Sequence, residues 1–159
     1  MRFPVIKTKD LNKRPLTLPQ DFENEFNAVL LGYQQWQQHQ YETWIPFLNR
    51  LENAYPAFGY YELPIINKLN FIARYYIDEG MRAGIPNIET RSRVLTLYTD
   101  KKKLNDELSV TTEEQITILL LGPGGVVLWR EEGEWTPDKS DGLDDTLLNL
   151  TPLKPDSQA

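Results

Sequence analysis

The residues with the most obvious potential for chemistry lie in a glutamine-rich stretch around the single histidine, His39. A histidine with its ordinary pKa of about 6.5 could act as a general base, but neither an acid nor a nucleophile stands beside it in sequence. Glutamines occupy positions 34, 35, 37, 38 and 40. Their amides could bind a peptide or a small polar ligand, and an exposed loop leading into a first helical turn is the plainer interpretation.

The chain contains no cysteine among its 159 residues. This excludes disulfides, thiolate nucleophiles, zinc–thiolate sites and dithiol redox chemistry. One histidine also excludes a metal site built from several histidines. The aspartates at 138, 141, 144 and 145 do not have the spacing of a calcium-binding loop. We therefore expect no metal and no cofactor, and a binding protein is a more natural prediction than an enzyme.

Four arginines make the most suggestive cationic group: Arg74, Arg82, Arg91 and Arg93. Arg74 and Arg82 are eight residues apart, which is about two helical turns, so a helix would place them on one face. Together the four side chains could bind a carboxylate, a phosphate or an acidic segment of a partner. Surface ion pairs with neighbouring acids, each worth little, are the alternative.

Charge is unevenly distributed along the chain. Residues 1–14 carry five cations and one acid, residues 68–103 carry eight cations and four acids, and residues 104–159 carry three cations and twelve acids. The net charge of -6 and the pI near 4.9 argue against general nucleic-acid binding, because phosphate backbones require a cationic surface. The uneven charge could instead orient the molecule towards a partner or an anionic surface. Charged faces that do no more than contact solvent are the plainer interpretation.

Alternating apolar patterns predict an α/β domain over residues 1–150, followed by a loose tail over 151–159. We expect a hairpin within 5–19, strands at 27–33, 60–66, 94–98, 116–121 and 126–130, and helices at 40–54, 67–83, 101–108 and 136–150. Asn67 is the expected N-cap of the second helix. The short connection Gly122–Gly125 predicts a hairpin between the last two strands. Alternating strands and helices imply a mixed sheet covered by helices on both faces.

This element order, together with Leu11-Asn12-Lys13-Arg14-Pro15-Leu16-Thr17-Leu18-Pro19, resembles the peroxiredoxin-like and thiol-disulfide oxidoreductase domains of the thioredoxin-like superfamily. The resemblance implies a three-layer sandwich with an added N-terminal β-hairpin. In that superfamily a Cys-x-x-Cys opens the first long helix. Aligned without gaps, its cysteines fall on Gln38 and Tyr41, and Pro46 falls on the superfamily's helix proline. A shift of one residue aligns the tryptophan instead, and neither register supplies a thiol. The implied binding corner is Trp36, Gln37, Gln38, His39, Gln40 and Tyr41. The superfamily's proline before the penultimate strand is missing from the matching stretch, 112–115.

A second resemblance is to the mitochondrial ATP-synthase assembly factor ten family. It is carried by Gly80-Met81-Arg82-Ala83-Gly84-Ile85-Pro86, by the strands at 93–98 and 126–130, and by Thr136-Pro137. It implies a redox-inactive chaperone that binds a protein client, possibly a membrane-sector subunit of the ATP synthase. The implied binding set is Arg74, Gly80, Met81, Arg82, Gly84, Pro86, Arg91 and Arg93. A degenerate peroxiredoxin-like protein that binds a small ligand or an anion, or that keeps a non-thiol activity, is the alternative.

The sequence shows neither a secretory signal nor a run of about 20 apolar residues, the length that spans a bilayer. We therefore expect a cytoplasmic protein, with a mitochondrial location only if a presequence has been removed. No feature indicates an oligomeric state.

Overall fold

The computed structural model describes residues 1–155 and begins with a small antiparallel hairpin. Its strands are β1 (Ile6–Lys9) and β2 (Pro15–Leu18). The carboxylate of Asp10 closes the turn, because it accepts hydrogen bonds of 2.9 Å from the backbone N–H groups of Asn12 and Arg14. The hairpin expected from the sequence is therefore confirmed.

A five-stranded mixed sheet forms the centre of the molecule. Its strands are β3 (Phe26–Gly32), β4 (Phe58–Ile66), β5 (Leu97–Tyr98), β6 (Thr117–Leu121) and β7 (Val127–Glu132), in the spatial order β5-β4-β3-β6-β7. β3, β4 and β5 run parallel, whereas β6 and β7 are antiparallel to their neighbours. Every residue of the central strand β3 is buried, which is expected for a strand with partners on both edges and cover on both faces.

Five helices accompany the sheet within the described residues. They are α1 (Gln38–Ala54), α2 (Phe71–Gly84), α3 (Ile88–Arg91), α4 (Lys101–Glu107) and α5 (Pro137–Leu150). α1 and α5 cover one face of the sheet, where Trp44 and Leu147 belong to the same buried apolar cluster as Leu30. α4 and the N-terminal hairpin cover the other face. These layers confirm the predicted mixed sheet with helices on both faces and an added hairpin.

The region from residue 67 to residue 98 differs from the sequence-based prediction. α2 begins at Phe71 and is capped by Asn70, whose Oδ1 accepts from the backbone N–H of Ala73 at 2.9 Å. Asn67 was therefore the wrong cap, and its Oδ1 accepts from the backbone N–H of Lys101 instead. The short helix α3 was not predicted. The strand expected over 94–98 is reduced to β5, with single bridges at Val94 and Leu95.

The apolar periodicity of α2 does not mark a core-facing stripe. None of its 14 residues is buried. The sheet face that a helix at this place would cover already carries the N-terminal hairpin and α4. The apolar side chains of α2 therefore remain at the surface, where Phe71 is 84% exposed and Tyr76 is 71% exposed.

The predicted loose tail begins after α5 and starts against the body of the protein. The backbone N–H of Lys154 donates to the carbonyl oxygen of Ala54 at 2.8 Å. The remainder of that prediction, residues 156–159, lies outside the described residues. No helix in the described part of the chain has the length and apolar character needed to cross a bilayer.

Candidate functional site

The glutamine-rich stretch lies at the carboxyl ends of the parallel strands β3 and β4. A single 3-10 turn, Gln35–Gln37, joins the end of β3 to α1. In α/β sheets this edge is where ligands usually bind, because the loops that leave the strands converge there. The location agrees with the corner expected from the sequence, and the roles of its residues follow from their contacts.

Gln37 is fully buried, and its whole amide is engaged by the backbone. Its Oε1 accepts from the N–H groups of Tyr33 at 2.8 Å and Gln34 at 3.2 Å, and its Nε2 donates to the carbonyl oxygen of Glu113 at 2.7 Å. The side chain thereby ties the end of β3 to the loop before β6. An amide bonded in this way stabilises the loops of the corner, and its burial keeps it away from a ligand.

Gln40 has a similar internal role one helical turn later. Its Oε1 accepts from the backbone N–H of Ile116 at 2.9 Å, immediately before β6. Gln37 and Gln40 thus occupy the two cysteine positions of the register that aligns the tryptophan, Trp36-Gln37-Gln38-His39-Gln40, and both are buried. Gln38, which was aligned with the first cysteine, is exposed.

Tyr41, aligned with the second cysteine, fills its position with a buried ring. Its Oη has no hydrogen-bond partner, and burial raises the pKa of the phenol well above its ordinary value. The ring packs directly on Gly32, where an added Cβ would overlap the Tyr41 hydroxyl. The buried Tyr41 ring therefore leaves no room for a side chain at Gly32, the last residue of β3.

The exposed part of the corner consists of Trp36, His39 and Glu134. The Trp36 ring is 52% exposed and stacks on the imidazole with 5.9 Å between ring centroids. The Nδ1 of His39 lies 2.8 Å from the Trp36 carbonyl oxygen, and its Nε2 lies 3.0 Å from Oε1 of Glu134. These two contacts raise the pKa of His39 above its ordinary value, the carbonyl contributing first and Glu134 second. Glu134 is the acid that could not be seen near His39 in sequence, since 95 positions separate them.

A polar network that the sequence did not indicate borders this corner. The Tyr33 hydroxyl donates to Oδ1 of Asn105 at 2.7 Å, the Asn105 amide donates to Glu113 at 3.1 Å, and Lys101 pairs with Glu113 at 2.9 Å. Three of these side chains, Asn105, Glu113 and Lys101, line a cavity of about 410 Å³. Its other lining residues are Asn67, Asp100, Lys102, Asp106 and Val110. Its members come from separate segments, so no local spacing could reveal it.

The four arginines do not form one cationic face. Arg74 and Arg82 share one face of α2, as their spacing predicted, and both line a groove between α2 and the N-terminal hairpin. Arg91 instead donates to the carbonyl oxygens of Ile85 at 2.6 Å and Arg82 at 2.8 Å, at the C-terminal end of α2. The expected common set is therefore wrong for Arg91, whose donors are used within the chain.

Arg93 also departs from the expected set. It forms a bidentate ion pair with Glu52, in which Nη1 donates to Oε1 at 2.5 Å and Nη2 donates to Oε2 at 2.7 Å. Its guanidinium lies 4.3 Å from the centre of the Tyr60 ring. Arg-carboxylate pairs of this geometry are among the stronger polar contacts in proteins. Arg93 thereby holds α1 to β4, and it is not available to an anionic partner.

The remaining residues of the Gly-Met-Arg-Ala-Gly-Ile-Pro segment have few contacts. A Cβ added at Gly80 or Gly84 would meet open space, so neither glycine is needed for close packing. The Met81 sulfur accepts from the Thr96 hydroxyl at 3.3 Å, and Pro86 is exposed. Across residues 1–155 no three acidic or histidine side chains converge as a metal-ligand set.

Comparison with known proteins identifies the fold. No protein-family model matches the chain, and no curated protein does. Among solved structures, a thiol-disulfide oxidoreductase from Bacteroides fragilis is similar with a TM-score of 0.59 and 14% identity, covering 92% of this chain and 100% of that chain. A thiol:disulfide interchange protein from Bacteroides sp. gives a TM-score of 0.59 and 15% identity over 93% and 88% of the two chains. The exposed lipoprotein thioredoxin of Streptococcus pneumoniae gives 0.59 and 10% over 91% and 100%.

These similarities show a thioredoxin-like fold, as the first resemblance predicted. Two of the three similar structures are of proteins named for thiol-disulfide chemistry. This chain has the same fold but contains no cysteine. No comparison supports the resemblance to the ATP-synthase assembly family.

Proposed function

We propose that this thioredoxin-fold chain is a redox-inactive binding protein that holds a segment of a partner protein. The observation that carries the proposal is α2, a helix of 14 residues none of which is buried. Large exposed apolar patches on soluble domains commonly mark interaction sites. The aromatic patch consists of Phe71, Tyr75 and Tyr76, which are 84%, 54% and 71% exposed.

The composition of the aromatic patch supports a protein partner. Tyrosine and phenylalanine supply large contact areas at a small cost in side-chain entropy, and aromatic residues are enriched at the cores of protein interfaces. The Tyr75 and Tyr76 rings already contact each other edge to face, with centroids 5.9 Å apart. A partner would therefore meet a patch whose side chains are partly ordered before binding.

The former redox corner supports a role without catalysis. Thiol chemistry requires sulfur, and the positions with Cys-x-x-Cys spacing hold the buried amides of Gln37 and Gln40, both bonded to the backbone. The fold is thus retained while its reactive positions have become structural. Binding, for which this scaffold needs no nucleophile, is the function most consistent with that change.

Suppression of aggregation tests the proposal with the whole protein. Insulin reduced by dithiothreitol is the probe, and light scattering follows the precipitation of its B chain. We expect the protein to slow scattering in proportion to its concentration, because the aromatic patch covers exposed apolar segments of the probe. The triple variant Phe71→Ser, Tyr75→Ser, Tyr76→Ser should lose this effect.

The matched control is Leu148→Ser on α5, which removes an apolar side chain that is 56% exposed on another surface. It should suppress aggregation as the unmodified protein does. Far-ultraviolet circular dichroism establishes that each variant is folded. Equal suppression by the triple variant and the unmodified protein, or no suppression by either, would overturn the proposal.

A narrower form of the proposal names the client as a membrane-sector subunit of the ATP synthase. It rests on the residues of the 80–98 and 126–137 segments alone. A deletion strain of the source organism tests it: assembled ATP synthase, measured on native gels, should fall. Normal levels of the assembled enzyme would remove this client while leaving the broader binding role open to the aggregation assay.

A further inference from the structure

A groove of about 840 Å³ separates the N-terminal hairpin from α2. The hairpin contributes Lys7, Lys9, Lys13 and Leu16 to its wall, among other residues, and Thr96 and Tyr98 also line it. α2 contributes one helical face: Phe71, Arg74, Tyr75, Asp78, Glu79 and Arg82. The groove therefore brings together the two segments with net positive charge, 1–14 and 68–103, although they are far apart in sequence.

Four cations of the groove have no acidic partner in the described chain. Within residues 1–155, no carboxylate oxygen lies within 4.0 Å of the side-chain nitrogens of Lys7, Lys9, Arg74 or Arg82. The Nε of Arg82 is buried and makes no hydrogen bond. Arg74 lies over the Tyr98 ring, 4.5 Å from its centre. Arg74 and Arg82 both line the groove, so an anionic group bound there would meet two guanidinium groups that have no ionic partner in the described chain.

The acids of the groove are engaged by other groups. Asp78 accepts from the Tyr98 hydroxyl at 2.5 Å, and Asp21 accepts from the backbone N–H of Thr17 at 2.6 Å. Glu79 pairs with Lys13 at 3.5 Å. Asp10 is buried and closes the hairpin turn. Glu79 and Asp10 are neutralised by ion pairs with Lys13 and Arg14, whereas Asp21 and Asp78 only accept hydrogen bonds from neutral donors and keep their charge. Four cations (Lys7, Lys9, Arg74 and Arg82) then face two carboxylates in the lining, so the balance offered to a ligand is positive.

We propose that this groove binds an acidic segment of the partner protein in an extended form, with its carboxylates on Lys7, Lys9, Arg74 and Arg82 and its apolar side chains on Phe71 and Tyr75. The inference rests on the proposed function and names the class of partner. Charge complementarity carries it, because oppositely charged surfaces set specificity and speed association. Phe71 and Tyr75 belong both to the aromatic patch and to the groove, so one ligand can use both.

The concave shape favours a peptide segment over a lipid surface. A bilayer is flat on this scale and would contact the side of α2 that faces away from the groove. Ile72 and Tyr76 lie there, outside the groove lining. Lys7 and Lys9 stand on the opposite wall. A segment of chain can enter between the walls and reach both sets of cations, which a flat surface cannot do without displacing α2.

Fluorescence anisotropy with a short labelled peptide tests the inference. The peptide alternates glutamate with leucine and phenylalanine, and a second peptide replaces every glutamate by lysine. We expect the full-length protein to bind the acidic peptide, more weakly as salt is added, and to ignore the basic one. The variants Arg74→Gln with Arg82→Gln, and separately Lys7→Gln with Lys9→Gln, should each weaken binding by roughly tenfold.

The control is Lys102→Gln with Lys103→Gln, which removes two exposed cations from α4 and should leave the affinity unchanged. The two double variants lie on opposite walls of the groove. If the arginine variant loses the structure of α2, which circular dichroism would reveal, the lysine variant still tests the inference. Failure to bind the acidic peptide, or equal affinity in all the variants, overturns the groove inference. If the arginine variant still suppresses insulin aggregation in that case, the proposed function stands without it. Binding to phosphatidylglycerol vesicles but not to the peptide would contradict the proposed peptide ligand and would indicate that the protein binds a lipid surface instead.

Discussion

The side-chain amide of Gln37 donates a hydrogen bond of 2.7 Å to the backbone carbonyl of Glu113, although the two residues are 76 positions apart. In thioredoxin-like enzymes this edge of the sheet is where a reactive thiol would meet its substrate. Here the same place holds a side chain that joins the loop after β3 to the loop before β6. The corner is thus held together by internal polar contacts.

The first prediction concerns the stability that Gln37 provides. Gln37→Ala leaves the N–H of Tyr33 and the carbonyl of Glu113 without their partner in a buried place, so it should lower the free energy of unfolding by roughly 1–3 kcal/mol. Urea denaturation measures this. Gln38→Ala, at an exposed neighbouring position, should change it by no more than about 0.5 kcal/mol. Equal effects of the two substitutions would show that the buried amide has no special role.

A second prediction compares the effects of alanine substitution at two glycines, Gly32 and Gly80, on stability. Gly32→Ala places a methyl group against the buried Tyr41 ring, and overpacking of this kind should cost about 1–3 kcal/mol. Gly80→Ala points into open space within α2. It should strengthen the helix by roughly 0.5–1 kcal/mol, because alanine is the better helix former. Thermal unfolding compares the variants, and helical ellipticity follows α2.

Gly80→Ala also tests the binding role of Gly80 that the resemblance to the ATP-synthase assembly factor ten family implies. If the glycine acts in recognition, the variant should bind the acidic peptide less well despite the more stable helix. We expect unchanged binding, since a Cβ added at Gly80 meets no atom within 4 Å outside the backbone of its own helix. A destabilised Gly80→Ala protein would contradict the open surroundings of this position.

Local sequence patterns were sufficient for most of the fold. The continuous apolar run over 27–33 predicted a strand, and β3 is buried throughout. The helix predicted over 136–150 is also found, with Thr136 as its N-cap. Such signals depend on neighbours in the chain. α2 shows where they fail: its apolar period was real, but a helical period cannot say whether another element already occupies the sheet face.

The candidate site was less predictable because its contacts are long-range. The resemblance to thiol-disulfide oxidoreductases placed His39 and Trp36 at one corner, whereas Glu134 reaches that corner only through the β6–β7 hairpin. The burial of Gln37 depends on a backbone carbonyl of another loop. A glutamine-rich run looks polar and exposed in sequence, and no local feature separates its two structural members from the rest.

A third prediction follows from the contact between His39 and Glu134. Because the pKa of His39 is raised by the Trp36 carbonyl and by Glu134, the charged imidazole favours the folded state. This contribution is present below the unfolded pKa of about 6.5 and is lost as the pH rises through the folded pKa. Glu134→Gln should therefore lower the pKa of His39.

The single histidine makes this measurement direct, since its ring protons titrate alone in an NMR spectrum. The stability difference between the unmodified protein and Glu134→Gln should be larger below a pH of about 6.5 than in alkaline solution. Glu114→Gln, also at an exposed acid, is the control and should leave the titration unchanged. An identical His39 pKa in the Glu134→Gln protein would show that the pair does not form in solution.

The last prediction concerns Glu62, an acid in the middle of β4. Burial, with a contribution from Glu42, raises its pKa to about 7, while Arg93 acts in the opposite direction. Between pH values of about 4.5 and 7 the folded state holds a proton that the unfolded chain has released, so stability should fall as the pH rises across this window. Above this window, the folded protein carries a half-buried carboxylate and bears the full free-energy cost of removing its charge from water.

Glu62→Gln removes that cost and should raise the free energy of unfolding by roughly 1–3 kcal/mol in mildly alkaline solution, with little change near the lower end of the window. Urea denaturation at both ends measures the difference, with the exposed Glu25→Gln as control. A gain of equal size at both pH values would mean that Glu62 acts through packing, and its ionisation would then have no part in the stability of the sheet.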